Sequence, residues 1–347
     1  MKKSLLALAL LGAFAGVAQA QSAVIIYGSL DAGLIKRTDT PVAIGKRMNN
    51  TLGFKGTEDL GTGLKALFQL EIRYEPDTGT LEQGAGGVQR PLFQGQSRVG
   101  LQGAFGMVRI GRGLTAYQES SIAFEPFHGI PTPQGFQADL MVAGYTSDPL
   151  GLAANSANRF SNAIFYNSNE FAGFQINTTI GTREQNQNPA FVGRGTLANP
   201  QYAANAQASA LPYSFSATYK NGPGALMYAV ERNAVETKLW SIAGSVMATP
   251  ELKLMASMAR QNQDHTRLVN SRTKAWVLGA NYTMGPGKVL AGYGHKSPDG
   301  ATKVKQLSLG YEYSMSKRTY LYIDASNKKG VTPSAANVFA VGVNHSF

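Results

Sequence analysis

Few side chains in this sequence are equipped for covalent chemistry. Cysteine is absent, which removes thiol nucleophiles, thiolate metal ligands and disulfides together. The four histidines are His128, His265, His295 and His345. His128 lies three residues after Glu125, but one such pair falls short of the ligand set that zinc takes. His265 ends the polar run that starts at Gln261, His345 sits almost at the C-terminus, and no nucleophile motif accompanies any of them. These spacings point to no enzyme, no metal site and no cofactor. Charge is the chemistry present in quantity, with 32 Lys and Arg against 21 Asp and Glu. The basic residues are scattered singly or in pairs rather than collected in a stripe, which argues against a nucleic-acid partner. Scattered charges act together only where a fold gathers them, so the elements that position them decide the function.

Lys2 and Lys3, the apolar run from Leu5 to Val17 and the small residues flanking Gln19 read as a secretory signal peptide, residues 1–20, cleaved after Ala20. Its removal leaves a net charge of +9. The remaining 21–347 contains no run of apolar residues long enough for a membrane-spanning helix. An exported chain of this kind is either soluble beyond the inner membrane or inserted as a barrel, whose closed sheet satisfies every backbone group in lipid.

Period-two patterning runs through the whole chain. From Leu64 to Tyr74 the even positions carry Leu64, Ala66, Phe68, Leu70, Ile72 and Tyr74, and the odd ones include Lys65, Gln69, Glu71 and Arg73. One face suits lipid and the other water. Comparable units recur from Ala23 to Phe347, about sixteen in all. Alternate connections are very short, as at Asn221 to Gly224, Thr249-Pro250, Gly285 to Gly287 and Ser316 to Arg318, while those between are longer and polar. Turns are expected at Glu58 to Gly63, strands at Arg47 to Thr57 and Phe171 to Gly181, and an exposed outer loop at Thr182 to Leu211. A strand that ends with the chain is explained if it pairs with the first and closes a ring.

The segment 112–158 interrupts this rhythm. A loop of such length is functional or disordered in most folds, and Phe124, Phe127, Phe136, Leu140, Met141, Val142 and Tyr145 make it too apolar for a solvated linker. It is expected to pack inside the wall the strands make. Parity then places Arg47, Lys55, Lys65, Arg73, Arg98, Arg109 and Arg159 on the inner wall, with Asp31, Glu71 and Glu75 opposing them. Arg98 and Arg159, nearest in sequence to the two ends of the loop, are the expected basic wall at the narrowest point. On the loop, Glu119, Glu125, Asp139 and Asp148 would face them, and Tyr117, Phe124 and Phe127 would pin it.

Several segments resemble the trimeric general porins of Gram-negative outer membranes, in particular the beta-proteobacterial branch. They are Tyr27 to Gly33, Gly53 to Gly61, Gly63 to Glu71, Val99 to Leu101, Phe105-Gly106 with Ile110 to Arg112, Tyr313 to Thr319, and the terminal Phe347. The resemblance implies an all-β, 16-stranded antiparallel transmembrane β-barrel whose long third loop folds into the pore. It implies a homotrimer exported to the cell outer membrane, surrounded by membrane lipids and lipopolysaccharide. Phe347 would be the assembly signal read by the barrel-assembly machinery, and the channel would pass ions and small hydrophilic solutes by diffusion with a mild anion preference. Relatives often carry basic wall residues where this chain has Thr51, Gly95-Gln96 and Phe165. The competing readings are a substrate-specific channel for sugars, organic acids or phosphate, which inward Tyr27, Tyr320 and Tyr322 would suit, and a structural barrel plugged by the loop.

Overall fold

The structure is a computed structural model that describes residues 23–84, 89–129, 134–151, 158–182, 191–196, 199–202, 210–263, 272–331 and 335–347. The leader, His265 and much of the outer segment 182–211 lie outside the described residues. The first half of the chain forms β1 (Ala23–Arg37), β2 (Ala43–Gly45), β3 (Asn50–Gly61), β4 (Leu64–Tyr74), β5 (Gln96–Gly103), β6 (Gly106–Leu114), β7 (Arg159–Asn167) and β8 (Phe174–Gly181). A separate hairpin, β9 (Phe191–Thr196) and β10 (Asn199–Tyr202), falls in the expected outer loop. The second half forms β11 (Tyr213–Asn221), β12 (Gly224–Arg232), β13 (Lys238–Met247), β14 (Leu252–Asn262) and β15 (Arg272–Met284). It ends with β16 (Gly287–Pro298), β17 (Val304–Ser314), β18 (Thr319–Lys329) and β19 (Ala335–Ser346).

Without the three-residue β2 and the separate hairpin, sixteen long strands form one closed antiparallel sheet. Each pairs with its neighbour in sequence, β8 joins β11, and β1 joins β19 from Ser29↔Ser346 to Arg37↔Val338. The terminal residue completes the seam: Phe347 N–H donates to the Gly28 carbonyl and Gly28 N–H to the Phe347 carbonyl, both at 3.0 Å. Gly28 is needed there, since a Cβ would overlap the Thr51 carbonyl and the Phe347 ring. Closure leaves no strand edge to meet lipid.

Three boundaries differ from the sequence reading. Pairing between β3 and β4 continues to Asp59↔Lys65, followed by a bulge, so the turn shrinks to Thr62 and Gly63. Arg47 precedes β3 rather than starting it, and β8 begins at Phe174 after a bridge to Phe171. Alternation explains the rest. Val24, Ile26, Leu30 and Leu34 of β1, like Leu307 and Leu309 of β17, are exposed on the outer face, while their in-between neighbours turn inward.

The loop between β6 and β7 folds into the barrel. It opens with α1 (Ala116–Ser121) and a 3-10 turn (Ile122–Phe124). Tyr117, Phe124, Phe127, Phe136, Leu140, Met141, Val142 and Tyr145 are buried in one cluster with Met227, Ala229, Leu239, Ala243, Ala259, Ala275, Val277 and Leu290 of the wall. The wall makes room by being small. A Cβ on Gly279 would overlap Pro126, one on Gly292 the Phe136 ring, and one on Gly294 both Leu140 and Phe136.

Gly292→Val is therefore expected to displace the loop at a cost of about 1–3 kcal/mol. The barrel should keep its sheet circular dichroism while protease cuts faster within residues 115–151. Equal cleavage rates in variant and wild type would contradict this packing.

Candidate functional site

The loop is anchored by a polar seam before its apolar face takes over. Thr115 caps α1 by accepting from the Gln118 N–H, and its hydroxyl donates to Glu231 Oε2 at 2.6 Å. The first two helical N–H groups find wall hydroxyls, Ala116 to Thr179 Oγ1 and Tyr117 to Ser214 Oγ, both at 3.0 Å. Ser120 meets Ser216 at 2.7 Å and accepts from Asn177 at 3.1 Å. Short hydroxyl and amide side chains on β8 and β11 thus satisfy donors that a helix start leaves open. Across the lumen, Gln306 of β17 donates to the carbonyls of Gln134 and Gly135.

Glu119 leaves this anchored turn toward β5 and β6. Its carboxylate pairs with Arg98 at 2.8 Å and Arg109 at 3.3 Å, and accepts from Asn167 at 3.3 Å. Burial opposes ionisation, but the two guanidiniums overcome it and hold the carboxyl below its ordinary range. Phe165 lies under both arginines, 5.5 Å from the Arg98 guanidinium carbon and 5.9 Å from that of Arg109. The Phe165 ring is thus a platform that holds two cations for Glu119.

Asp139 makes the corresponding link on the far side. It binds Lys296 of β16, and Lys328 of β18 at 2.6 Å. Burial again works against the charge and the two lysines prevail, lowering the carboxyl's pKa. Asp148 lies 3.9 Å from Arg112. Glu125 behaves differently. It is fully buried and its oxygens accept from the backbone N–H of Gly129 at 2.7 Å and of Phe136 at 2.9 Å, tying two parts of the loop together. Burial pushes its pKa up to about 7, with these hydrogen bonds only partly offsetting the effect. His128 approaches Glu312 at 3.9 Å.

The wall opposite the loop is more compensated than parity suggested. Arg47 is fully enclosed, with Glu312 at 2.6 Å and Asp324 at 3.1 Å, and its guanidinium stacks 4.2 Å from the Tyr322 ring centre. Asp31 accepts from the Arg47 backbone N–H at 2.6 Å and from the Tyr322 hydroxyl at 2.9 Å. Arg73 lies 3.9 Å from Glu71. Lys46 pairs with Glu75 and Glu82, and Glu82 also faces Arg90. Arg159 is 1% exposed, donating to the Gly95 carbonyl at 2.6 Å and to Asn158 at 2.8 Å. It is enclosed rather than open to the lumen, because the loop root closes over it. Lys55 and Lys65 remain exposed.

Of the two arginines expected at the narrowest point, the geometry brings Arg98 to a loop acid and packs Arg159 into the loop's base. Lys296 and Lys328, which clamp Asp139, were missed. Their inward parity was readable, but nothing local tied either to residue 139. The small residues along the inner face of β12–β17 were a second signal, since a wet wall has no reason to be lined by Ala and Gly.

A closed sixteen-strand sheet narrowed by an inward loop matches a known architecture. Residues 7–332 match the family of Gram-negative porins. The chain belongs to that family. It is 32% identical to outer membrane porin protein 32 of Delftia acidovorans over 377 residues, covering 99% of this chain and 94% of the relative. An outer membrane porin protein of Bordetella pertussis is 27% identical over 412 residues, covering both chains in full. Among solved structures, an anion-selective porin from Comamonas acidovorans superposes with a TM-score of 0.75 at 23% identity, covering 94% of this chain and 100% of that one. The trimer form of OmpT from Vibrio cholerae gives 0.67 at 14% identity, covering 94% and 99%. This porin is an outer-membrane channel.

The Glu125 carboxyl has a folded pKa raised above the unfolded value, so its contribution to stability is full at low pH and falls as pH rises from about 4.5 to about 7. The melting temperature of the porin is expected to decline across that window, and Glu125→Gln is expected to flatten the decline. Parallel pH profiles for the two proteins would refute the assignment.

Proposed function

We propose that this porin prefers anions mildly, and that the preference arises mainly in the inner vestibule rather than at the loop contacts. One observation carries this reading. Lys55, Lys65, Lys220, Lys253 and Lys288 share inward parity near the short-turn end of the barrel, and no carboxylate of the described residues forms an ion pair with them. Lys253 donates to the Ala123 carbonyl on the loop at 2.7 Å, and Lys220 and Lys288 are near enough to act on its charge. The described acids near the narrow zone are largely committed to cations, Glu119 and Asp139 to two each. Uncompensated lumen charges set ion preference, and compensated ones contribute little field.

Passive diffusion is favoured over a dedicated substrate track by what the inward tyrosines do. Tyr27 bonds Glu71 and Gln69, Tyr320 accepts from Arg47, and Tyr322 donates to Asp31. Their polar ends serve the wall. The family's character as channels supports a transport role over an enzymatic one. Maturation by removal of residues 1–20, Phe347 as the assembly signal, and a homotrimer are part of the same proposal. The exposed apolar strip of β1 and β2 beside Phe339, Val341 and Val343 of β19 suits contact between copies.

In a salt gradient across a planar bilayer, the reversal potential is expected to have the sign of an anion-preferring channel. Lys220→Gln, Lys253→Gln and Lys288→Gln together are expected to move it toward zero. A cation-selective wild type, or a triple variant with the wild-type potential, would contradict the proposal. Glu119→Gln is expected to move the potential the other way, because Arg98 and Arg109 would then face a neutral amide.

A further inference from the structure

A cleft in the external vestibule is lined by charges of both signs that the wall leaves unused. The β3–β4 turn at Thr62 and Gly63 lies at the short-turn end, so the β1–β3 and β4–β5 connections lie at the other, external end with the root of the inward loop. β2 folds back on β1, with Ala43 opposite Ile35 and Gly45 opposite Gly33. Beyond β4 the chain makes a tight turn, in which Glu75 N–H donates to the Thr80 carbonyl at 2.9 Å and Gly79 N–H to the Glu75 carbonyl at 3.0 Å. Lys46 pairs with Glu75 at 2.9 Å and so ties this turn to the chain that follows β2. Between the two lies a cleft of about 320 Å³, with Gln134 of the inward loop on its lumen side.

Ile35 and Met48 give the cleft an apolar floor, and Arg37 and Asp77, both exposed, stand at its rim. Arg37 has the inward parity of Ile35. Glu75 is committed to Lys46, but among the described residues neither Arg37 nor Asp77 forms an ion pair, with the other or with any third group. The adjoining stretches outside the described residues, 85–88, 130–133 and 332–334, contain no charged residue. Beyond the leader, the remaining charged residues outside the described set belong to connections between other strands, β8 to β11 and β14 to β15. A guanidinium and a carboxylate that share a cleft without pairing set a field across it. A simple ion gains from one of them and is repelled by the other. A solute that carries both charges gains at both ends.

We propose that this cleft is a weak binding site for zwitterionic solutes, of the class of α-amino acids with an apolar side chain, above the constriction. Arg37 takes the carboxylate, Asp77 takes the ammonium, and Ile35 and Met48 receive the side chain. The volume is at the small end of ligand sites, which run from about 300 to 1,000 Å³. Both charges are exposed, which keeps the dissociation constant on the order of 1 mM, weak enough for release into the lumen. The lysines of the inner vestibule act on net charge and offer a zwitterion no net attraction, so the cleft adds a solute class that they do not select. The inference rests on the reading of the chain as an open diffusion channel.

Saturation-transfer NMR titrations of the full mature porin in detergent at neutral pH test the site with three probes that share one carbon skeleton: leucine, 4-methylpentanoate, which lacks the ammonium, and 3-methylbutylamine, which lacks the carboxylate. Leucine is expected to bind wild type with a dissociation constant on the order of 1 mM, and each single-charge analogue about tenfold more weakly. Arg37→Gln with Asp77→Asn leaves the net charge of the barrel unchanged and is expected to weaken leucine binding about tenfold. Sheet circular dichroism and conductance in potassium chloride show that the variant is folded and inserted. Equal leucine affinity in variant and wild type, or no leucine binding to wild type, would overturn the site. So would either analogue binding wild type as tightly as leucine, which would reduce the cleft to a plain anion or cation site. An open channel that does not bind leucine defeats the site alone, whereas bilayers that stay closed defeat the channel reading itself.

Discussion

The constriction depends on one contact, the aromatic underside of the inward loop against a lane of small residues on the inner wall. Phe127, Phe136 and Leu140 bring the bulk, and Ala243, Ala259, Ala275, Gly292 and Gly294 leave the space. Interiors at crystal-like density tolerate little displacement, so the loop is seated at one depth in the lumen. Every charge on it is positioned by that seat. Glu119 reaches Arg98 and Arg109 because Thr115 to Ser121 are fixed to β8, β11 and β12, and Asp139 reaches Lys296 and Lys328 because Phe136 and Leu140 lie over β16.

The loop's charges and its apolar face act together. Wall arginines and lysines without loop partners would repel one another across a narrow lumen, and loop carboxylates without wall partners would resist burial. Placed together they hold the loop against the wall, and in doing so they remove themselves from the field that a passing ion feels. The proposed anion preference then rests on lysines that no carboxylate of the described residues pairs with, Lys253 among them although it donates to the loop carbonyl of Ala123. Glu125 shows the opposite solution. With backbone N–H donors in place of a cation, its carboxyl titrates near neutrality and couples loop cohesion to pH.

Much of this was legible in the residues. Alternation located the strands, the contrast of short and long connections oriented them, and the aromatic content of 112–158 indicated a packed loop rather than a linker. Boundaries failed where pairing overrode local preference. Glu58 to Gly61 has turn composition, yet its backbone is held in the ladder as far as a bulge. Parity also placed Arg47 and Arg159 on the wall without revealing that carboxylates or the loop root would enclose them, because depth of burial is a property of what lies across the lumen.

By itself, the sequence determined that this chain is a barrel with a wet inner face, an apolar outer face and an inward loop. Those features follow from periodicity and composition, which act between near neighbours. Only the tertiary structure decided which charges meet. Asp139 and Lys328 are 189 positions apart, and Arg47 and Asp324 are 277 apart. Closure of the ring and seating of the loop bring such groups within hydrogen-bond reach, and Coulomb energy depends on that distance and on the surrounding water, not on separation along the chain.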